Sequence, residues 1–403
     1  MSTRPRSLSL RAPGRRLPAG LLILIALLLA IALERASRHA ATPPLEAVAF
    51  SDPTHGVGLF VAQGSSRCVA SSGSTADGGA QFGRLVVLAD WRCAGNPPVS
   101  QIATDGRGDA FAYGPGLMVS HDDAATWAGG RAPGAVLAVE AVRASIWMVT
   151  LHCGGVATGT RSCPLRVLES ADGGRRWRPA PAQPAGAAAL PGEVGPAIAS
   201  GQTSLVRTGG LSAYVLSSAV AGGARATLSF TSDSGATWSR RSLPCGSRAL
   251  STVLAAAPDG TLAAVCAGEP GAGFQAKWLA ISSDGGRHWS RRGPCGADAA
   301  APACTRSPLS QGYLGEALAT SAQTVYVIGD RSGLVITRDG GRHWRNLGAT
   351  VGNVNGEPAA VTFFGPRNGI VLGRETTAQA PVAIWHTTDA GRHWSAVKPS
   401  AAS

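Results

Sequence analysis

One eight-residue pattern, Ser/Thr-x-Asp-x-Gly-x-x-Trp or a close variant of it, occurs seven times along the 403 residues of this chain. The copies begin at Thr75, Ser120, Ser170, Thr231, Ser282, Thr337 and Thr387. They end at Phe82, Trp127, Trp177, Trp238, Trp289, Trp344 and Trp394, at intervals of 45 to 61 residues. This period predicts one four-stranded sheet with its loops per copy, because a unit of that size cannot bury its apolar faces alone and must stack on its neighbours.

Each copy has the residue types of a tight turn. Its Asp is expected to accept hydrogen bonds from backbone N–H groups later in the same turn, and its Gly to supply a positive φ. The aromatic residue is expected to fold back over the hairpin and pack against the sheet. Two copies are degenerate, since Phe82 replaces Trp in the first and Ala124 replaces Gly in the second. The even spacing favours turn structure over catalysis for Asp77, Asp122, Asp172, Asp233, Asp284, Asp339 and Asp389.

The repeated pattern resembles the Asp-box, or bacterial neuraminidase repeat, of a β-propeller family. This family includes sialidases, sortilin-type receptors and the photosystem II assembly and stability factors, and the chain is most similar to the bacterial relatives of those factors. The resemblance implies that the boxes lie on the outer rim, between the third and fourth strands of each blade and away from the axis where ligands bind. It therefore implies a fold and leaves the function open, and nothing in the sequence indicates photosynthesis.

Short apolar segments between the copies predict the strands of the blades. Before the last copy, residues 361–364, 369–373 and 382–385 are expected to form three strands, with a short fourth strand after Trp394. We therefore predict an all-β, seven-bladed propeller over residues 44–399, with six blades as the alternative if the copy at Thr75 is accidental.

The N-terminal region has a different composition. Residues 1–16 contain five Arg, residues 17–33 form an uncharged, Leu-rich segment, and residues 34–43 form a linker. The basic residues before the apolar segment predict that the N-terminus stays in the cytoplasm and that the propeller lies outside. The segment is at the short limit for spanning, and Ala30-Ile31-Ala32 resembles a signal-peptidase site. A retained transmembrane anchor and a cleaved signal, which would release a secreted protein, are both open.

The formal net charge of +12 would fit a nucleic-acid partner. Residues 1–38 carry seven Arg and one Glu, however, so half of this charge belongs to the N-terminal segment. Nucleic-acid binding is therefore not expected.

All eight Cys residues follow the apolar segment. An even number in an exported chain favours disulfides, and the absence of Cys-x-x-Cys argues against a zinc ribbon or a thioredoxin-type site. Proximity in the sequence favours four pairs, although other pairings stay open. These pairs are Cys68 with Cys93, Cys153 with Cys163, Cys245 with Cys266, and Cys295 with Cys304.

No metal or cofactor site is expected. His288, His343 and His393 precede the Trp of three copies, but equivalent positions lie far apart around a ring. We therefore interpret these histidines as solvent-facing turn residues. The same interpretation applies to the Arg that recurs in the turns, at Arg175, Arg287, Arg342 and Arg392.

A sialidase-like exo-glycosidase is the enzymatic alternative. Sialidases hold the sugar carboxylate with three Arg, use a Tyr activated by a Glu as nucleophile, use an Asp as acid/base and carry an Arg-Ile-Pro motif. This chain has no Arg-Ile-Pro, and its four Tyr have no evident Glu partner: Tyr113, Tyr214, Tyr313 and Tyr326. We expect no catalytic residues, but the alternative stays open because distant blades can assemble a site that no motif reveals.

The axial face made by second-to-third strand hairpins and inter-blade loops is the expected binding surface. Six predicted hairpins carry a basic residue: Arg67, Arg161, Arg225, Lys277, Arg331 and Arg374. Such a ring could hold an acidic protein or an anionic glycan. Glu269, Asp330 and Glu375 lie beside it, so scattered solvated charges are the alternative. We predict a membrane-anchored, extracytoplasmic scaffold that binds a protein or glycan partner.

Overall fold

A computed structural model describes ten segments of the chain: residues 42–142, 144–151, 162–189, 203–217, 226–245, 249–295, 301–330, 333–347, 356–375 and 382–402. The predicted cytoplasmic segment 1–16, the predicted anchor or signal segment 17–33 and most of the predicted linker lie outside these segments. Within the described residues, no helix is both long enough and apolar enough to cross a bilayer.

The described strands form seven separate antiparallel sheets, one for each copy of the repeated pattern. The prediction of an all-β, seven-bladed propeller is confirmed, and the six-bladed alternative is wrong because the copy at Thr75 belongs to a complete sheet of its own. In every sheet the first four strands are paired in chain order, and the repeated turn joins the third strand to the fourth.

The first three blades contain 14 strands in chain order, and β31 from the end of the chain joins the first of them. Blade 1 contains β1 (Leu45–Phe50), β2 (Gly56–Gln63), β3 (Arg67–Thr75), β4 (Gln81–Phe82), β5 (Val86–Arg92) and β31 (Ser400–Ala401). Blade 2 contains β6 (Gln101–Thr104), β7 (Ala110–Tyr113), β8 (Leu117–Ser120) and β9 (Ala128–Gly129). Blade 3 contains β10 (Ala135–Val142), β11 (Ser145–Leu151), β12 (Ser162–Ser170), β13 (Arg178–Pro179) and β14 (Ala187–Ala189).

The other four blades have four strands each. Blade 4 contains β15 (Thr203–Arg207), β16 (Ala213–Ser217), β17 (Thr227–Thr231) and β18 (Ser239–Arg241). Blade 5 contains β19 (Ser251–Ala256), β20 (Leu262–Gly271), β21 (Phe274–Ser282) and β22 (Ser290–Arg292). Blade 6 contains β23 (Tyr313–Ala319), β24 (Val325–Asp330), β25 (Gly333–Thr337) and β26 (Arg345–Asn346). Blade 7 contains β27 (Gly356–Phe364), β28 (Asn368–Glu375), β29 (Ala383–Thr387) and β30 (Ser395–Val397). A short helix, α1 (Pro302–Thr305), and a 3₁₀ turn (Pro308–Ser310) lie between blades 5 and 6.

The first strand of each blade lies at the centre of the ring. Each first strand contacts the first strand of the next blade, from β1 through β6, β10, β15, β19, β23 and β27 back to β1. The centre of the propeller is therefore lined by these seven strands.

The hydrophobic core is divided into seven main clusters, and each cluster lies between two neighbouring blades. Between blades 3 and 4, for example, Trp147 packs with Val215 and with Trp238, the aromatic residue of the fourth copy. The ring centroids of the two Trp are 6.3 Å apart. Every other cluster likewise contains the aromatic residue of one copy, including Phe82 between blades 7 and 1.

The repeated aromatic residue also packs beyond its own blade. Its ring does not simply fold over its own hairpin; it packs against the preceding blade as well. Trp177 in blade 3, for instance, meets Phe111 of blade 2 edge to face, with centroids 6.1 Å apart. The reason is that a sheet with two apolar faces buries them only against other sheets.

Blades 7 and 1 are joined by more than packing. Strand β31 pairs in parallel with β4, so the propeller extends past residue 399, the predicted end. The hydroxyl of Ser400 donates to the carbonyl of Ala80 at 2.8 Å. The Nε2 atom of His386, in blade 7, lies 2.8 Å from the carbonyl oxygen of Gly78 in blade 1. The last residues of the propeller therefore close the ring onto its first blade.

Three of the four predicted disulfides are confirmed: Cys68–Cys93, Cys245–Cys266 and Cys295–Cys304. Cys163 is also disulfide-bonded. Its predicted partner, Cys153, lies outside the described residues.

The seven repeated turns share one hydrogen-bond pattern. The Ser or Thr hydroxyl of the first position donates to the Asp carboxylate at 2.7–2.9 Å and accepts from the backbone N–H of the fifth position at 2.8–3.0 Å. The Asp also accepts from the backbone N–H of the seventh position at 2.8–3.0 Å, as predicted. The hydroxyl residue is buried in every copy, whereas the Asp is not. The buried hydroxyl therefore connects the first position of the turn to the third and the fifth by hydrogen bonds.

Two consecutive residues of every turn have positive φ, those at the fourth and fifth positions. The fifth position is Gly except at Ala124, which adopts a φ of 65°. A Cβ atom at Gly174 would lie 2.5 Å from the ring of Phe111, whereas the Cβ of Ala124 is accommodated in the cluster between blades 1 and 2. The degenerate second copy thus keeps the turn conformation, at the cost of a left-handed Ala.

The buried hydroxyl can be tested at Thr337. Replacing Thr337 by Val keeps the shape of the side chain but leaves the buried N–H of Gly341 without its acceptor. Unfolding in urea should show a loss of about 1 to 3 kcal/mol of stability. The Thr337→Ser variant keeps the hydroxyl and should lose less than about 1 kcal/mol, which is the contribution of one methyl group. Equal stability of the two variants would contradict this role of the hydroxyl.

Candidate functional site

The propeller has two different faces. One face, which we call the repeat-turn face, carries the first-to-second strand turns and the repeated turns. In five blades the two kinds of turn are hydrogen-bonded to each other, for example from Gly78 N–H to the carbonyl of Thr54 at 2.8 Å. The opposite face, which we call the hairpin face, carries the second-to-third strand hairpins and the connections between blades.

The disulfides belong to the hairpin face. Cys68 and Cys93 lie at the ends of β3 and β5 that point to this face, and Cys245 follows the last strand of blade 4. Cys295–Cys304 joins the end of blade 5 to α1, within the connection that leads to blade 6. Covalent cross-links therefore hold several connections of the hairpin face, whereas the repeat-turn face is held by hydrogen bonds.

Two of the six predicted basic binding residues have described side chains. Arg67 is exposed on the hairpin face and forms an ion pair with Asp90 of β5. Lys277 is fully buried, so it differs from the expectation of a solvent-facing cation. Arg161, Arg225 and Arg331 lie outside the described residues, and of Arg374 only the backbone, at the end of β28, is described. A basic ring on this face stays a prediction.

Lys277 ties a connection of the hairpin face to blade 5. Its Nζ donates to the carbonyl oxygens of Gln311 and Gly312 at 3.0 and 2.7 Å. These residues follow the 3₁₀ turn in the connection that also holds Cys295–Cys304. Burial lowers the pKa of Lys277 to about 7. The side chain thus fixes the connection through two hydrogen bonds at the cost of desolvating an amine.

The buried amine predicts a pH dependence of stability. Because the folded pKa of Lys277 is about 7 and its ordinary value is 10.5, the unfolded chain binds more protons between these limits. The free energy of unfolding of the wild-type protein should therefore rise between pH 7 and pH 9.5, by on the order of 2 to 3 kcal/mol relative to Lys277→Met. Urea denaturation of both proteins at several pH values measures the difference. Parallel pH profiles would show that Lys277 is not desolvated as described.

Three titratable side chains from different blades, which the sequence analysis did not select, are linked by electrostatic interactions. Tyr113 ends β7 in blade 2, Glu140 lies on β10 in blade 3, and Glu316 lies on β23 in blade 6. Burial raises the pKa of Tyr113, and the charges of Glu140 and Glu316 raise it further. Blades 2 and 6 are not neighbours, so the interaction between Tyr113 and Glu316 spans the centre of the ring. The one sequence feature that could have predicted this group is a polar residue within an otherwise apolar first strand, such as Glu140.

Glu140 has an unusual environment. Its side chain is accessible to solvent, yet protein surrounds it closely enough that desolvation raises its pKa to about 7, while Arg207 lowers it. Both observations fit a side chain that projects into a narrow, water-accessible space at the centre of the ring.

Arg207 is the basic residue that interacts with Glu140, and its guanidinium is already engaged. It lies 4.7 Å above the ring of Trp147 and donates to the carbonyl oxygens of Ser145 and Gly210, at 2.6 Å each. Desolvation lowers the pKa of Arg207 to about 10, whereas Glu140 and Glu169 raise it. This Arg holds blades 3 and 4 together and is not oriented as a free anion-binding group.

The three repeated histidines belong to separate turns. Each Nδ1 atom lies 2.5–2.6 Å from the Asp carboxylate of its own turn, and the side chains are 88–90% exposed. Burial raises the pKa of Asp339, but hydrogen bonds from the backbone and side chain of His343 lower it to about 2. Among the described residues, no three His, Cys, Asp or Glu side chains are grouped so that they could hold a metal ion.

The fold is similar to those of several solved propellers. In the structure described as YCF48 bound to D1 peptide, the similar chain is 18% identical with a TM-score of 0.53, and the match covers 87% of this chain and 94% of that one. YCF48 from Cyanidioschyzon merolae is 15% identical with a TM-score of 0.52, covering 88% and 97%. The GH74 xyloglucanase from Xanthomonas campestris is 14% identical with a TM-score of 0.54, covering 89% of this chain and 55% of the enzyme.

At these identities the similarity shows the β-propeller fold and no more. No family model matches the sequence, and no curated protein does. This chain spans about half the length of the xyloglucanase and nearly the full length of the two YCF48 chains.

Proposed function

We propose that this protein is a non-catalytic, extracytoplasmic β-propeller that binds a partner protein on its hairpin face and is held at the membrane by residues 17–33. The seven repeated turns resemble the Asp-box and lie on the face opposite to the proposed binding surface. This position supports the proposal, because the resemblance implies that ligands bind away from the boxes. A glycan partner is the alternative occupant of the same face.

The observation that carries the proposal is the difference between the two faces. The repeat-turn face repeats one short turn, whereas the hairpin face carries connections of unequal length, such as 293–312 between β22 and β23. Disulfides and the buried Lys277 hold these connections in place. Varied loops on a rigid scaffold are typical of binding surfaces, and cross-links reduce the entropy that is lost on binding.

The similar propellers favour a protein partner. The YCF48 chain in the first comparison is bound to a peptide, and a propeller accounts for nearly all of that chain, as it does here. By contrast, the xyloglucanase has almost half of its length outside the matched region. The proposed role therefore needs a propeller and no further domain.

A partner on the hairpin face can be located by photo-crosslinking in native membranes. A photoreactive amino acid at Leu250, which is 52% exposed on the hairpin face, should give a defined adduct with a partner protein. The matched control is Leu211, which is 61% exposed on the repeat-turn face. Adducts from Leu211 alone, or equally from both positions, would contradict the proposed surface. Protease digestion of intact cells tests the location, because an extracytoplasmic propeller is accessible from outside.

A sialidase-like activity is the second candidate, and the axial group of Tyr113, Glu140 and Glu316 is the observation that favours it. A Tyr nucleophile needs a base that takes its proton. Here burial and, after it, the two carboxylates instead raise the pKa of Tyr113, and Arg207, which interacts with Glu140, is engaged with Trp147. The three Arg that hold a sialic acid carboxylate are not assembled around Tyr113 among the described residues.

Catalysis is tested with the full-length protein and fluorogenic sialosides or other aryl glycosides. We expect no turnover above background, and no difference between the wild type, Tyr113→Phe and Glu140→Gln. Turnover that disappears in either variant, while its melting temperature is unchanged, would establish the axial group as an active site.

A further inference from the structure

The charge of the repeated turns and of the outer strands that follow them changes around the ring. In blades 3 to 6 these stretches, which we call the basic sector, are residues 170–179, 231–241, 282–292 and 337–346. They contain 11 Arg and four Asp, a net charge of +7. The corresponding residues of blades 1 and 2, 75–82 and 120–129, contain three Asp and no Arg or Lys. Those of blade 7, residues 387–397, contain one Arg and one Asp.

The basic sector accounts for the basic character of the propeller. Residues 39–403 have a net charge of +6, so the rest of the propeller is close to neutral. Ten of the 11 Arg in the sector are exposed. The four Asp are only partly exposed, and each accepts a backbone hydrogen bond within its own turn. Because all seven turns share one hydrogen-bond pattern, turn formation gives no reason for this concentration of exposed positive charge.

The basic sector is one continuous surface. The N–H of Ala182, just after the outer strand of blade 3, donates to the carbonyl of Gly235 in the fourth turn at 2.8 Å. Nε of Arg241, at the end of β18, donates to the carbonyl of Gly285 in the fifth turn at 3.1 Å. A Cβ atom added at the fifth position of the sixth turn would lie 3.0 Å from the Cβ of Arg292, at the end of β22. Since the four turns lie on the same face of the ring, a flat surface can contact all of them together.

Two exposed apolar side chains lie in the same part of the ring. Leu211, in the turn between β15 and β16 of blade 4, is 61% exposed, and its carbonyl accepts from the N–H of Ser234 in the fourth turn at 3.0 Å. Leu243 is 38% exposed and follows β18 by two residues. The other exposed large apolar side chains among the described residues are Val87 in blade 1 and Leu250 on the hairpin face. Blade 4 therefore presents two Leu beside the Arg of the basic sector.

Exposed Arg together with exposed Leu is typical of surfaces that bind membranes peripherally. Arg is attracted by the negative surface potential of anionic phospholipids. Leu gains free energy when it enters the boundary between the headgroups and the acyl chains. A soluble polyanion would pair with the Arg but would leave the Leu in water. The charge and the apolar side chains together therefore favour a lipid surface.

We propose that the basic sector, with Leu211 and Leu243, binds the surface of a bilayer that contains anionic phospholipids. In this orientation the repeat-turn face of blades 3 to 6 lies against the lipid headgroups. The hairpin face then points away from the bilayer and is accessible to a partner. This contact does not depend on residues 17–33 being a membrane anchor, and it uses a different surface from the proposed partner site.

The test is flotation with lipid vesicles of the full-length protein, held in nanodiscs of phosphatidylcholine so that its N-terminal apolar segment is already in lipid. The wild type should float with vesicles that contain phosphatidylglycerol, but not with vesicles of phosphatidylcholine alone. Added salt should release it, because screening weakens the attraction between exposed charges. A protein that does not enter nanodiscs is mixed with the vesicles directly. That outcome contradicts the anchor, whereas flotation alone decides the lipid contact.

The charge of the basic sector is tested by a variant with one substitution in each of blades 3, 4 and 6: Arg176→Gln, Arg240→Gln and Arg345→Gln. Binding to the anionic vesicles should weaken by at least about tenfold, since one basic residue near such a surface strengthens binding roughly fivefold. The matched control removes the same charge from exposed positions in or beside blades 1 and 2: Arg84→Gln, Arg107→Gln and Arg131→Gln. The control should bind within about threefold of the wild type.

The apolar side chains distinguish a bilayer from a soluble polyanion. Combining Leu211→Ser with Leu243→Ser should weaken binding to anionic vesicles by about threefold to tenfold, because less apolar surface enters the lipid. Any binding to dextran sulfate should stay unchanged, and the control Leu250→Ser should match the wild type with both ligands. Melting temperatures establish that all variants are folded.

Three results would overturn the proposal. The first is a wild type that does not float with anionic vesicles, and the second is equal binding by the two Arg variants. The third is a double Leu variant that binds vesicles as the wild type does, in which case the basic sector recognises polyanions in general and not a bilayer.

Discussion

The ring depends on the aromatic residue that each repeated turn inserts between two blades. A four-stranded sheet with two apolar faces cannot be stable alone, and burying one large aromatic side chain contributes roughly 1.5 to 3 kcal/mol. The turn that carries this residue is held by a buried hydroxyl, such as that of Thr337, which orders the backbone on both sides of the Asp. The same eight residues thus form a local turn and a contact between blades, and this unit occurs seven times. In the first copy the inserted ring is Phe82, and there β31 adds a further strand beside it.

The two faces of the ring are stabilised by different means. On the repeat-turn face, nearly identical turns satisfy their own backbone groups and leave little variation between blades. On the hairpin face, the connections differ in length, and covalent bonds such as Cys295–Cys304 stabilise them. Such an arrangement leaves the hairpin face free to vary in shape while the ring stays constant.

The charged groups around Tyr113 at the ring are acidic, whereas the net charge of the whole chain is positive. The chain carries an excess of basic residues, yet the charges that act on Tyr113 are those of Glu140 and Glu316, which lie on first strands of two different blades. Burial raises the pKa of the phenol, and the charges of these carboxylates raise it further. A phenol with a raised pKa is a poor nucleophile, so these interactions do not activate Tyr113.

The sequence by itself determined the local features of this protein. The seven turns, the strands beside them and three of the four proposed disulfides follow from residues that are close in the chain, because hydrogen bonds within a turn and pairing between consecutive strands need only short-range contacts. The tertiary structure decided what depends on residues far apart in sequence. The partner of each aromatic residue, the closure by β31 and the meeting of Tyr113 with Glu316 all require the ring to be complete. Lys277 shows the same limit, since its residue type predicted exposure, whereas in the structure it is buried and donates to carbonyl groups more than 30 residues away.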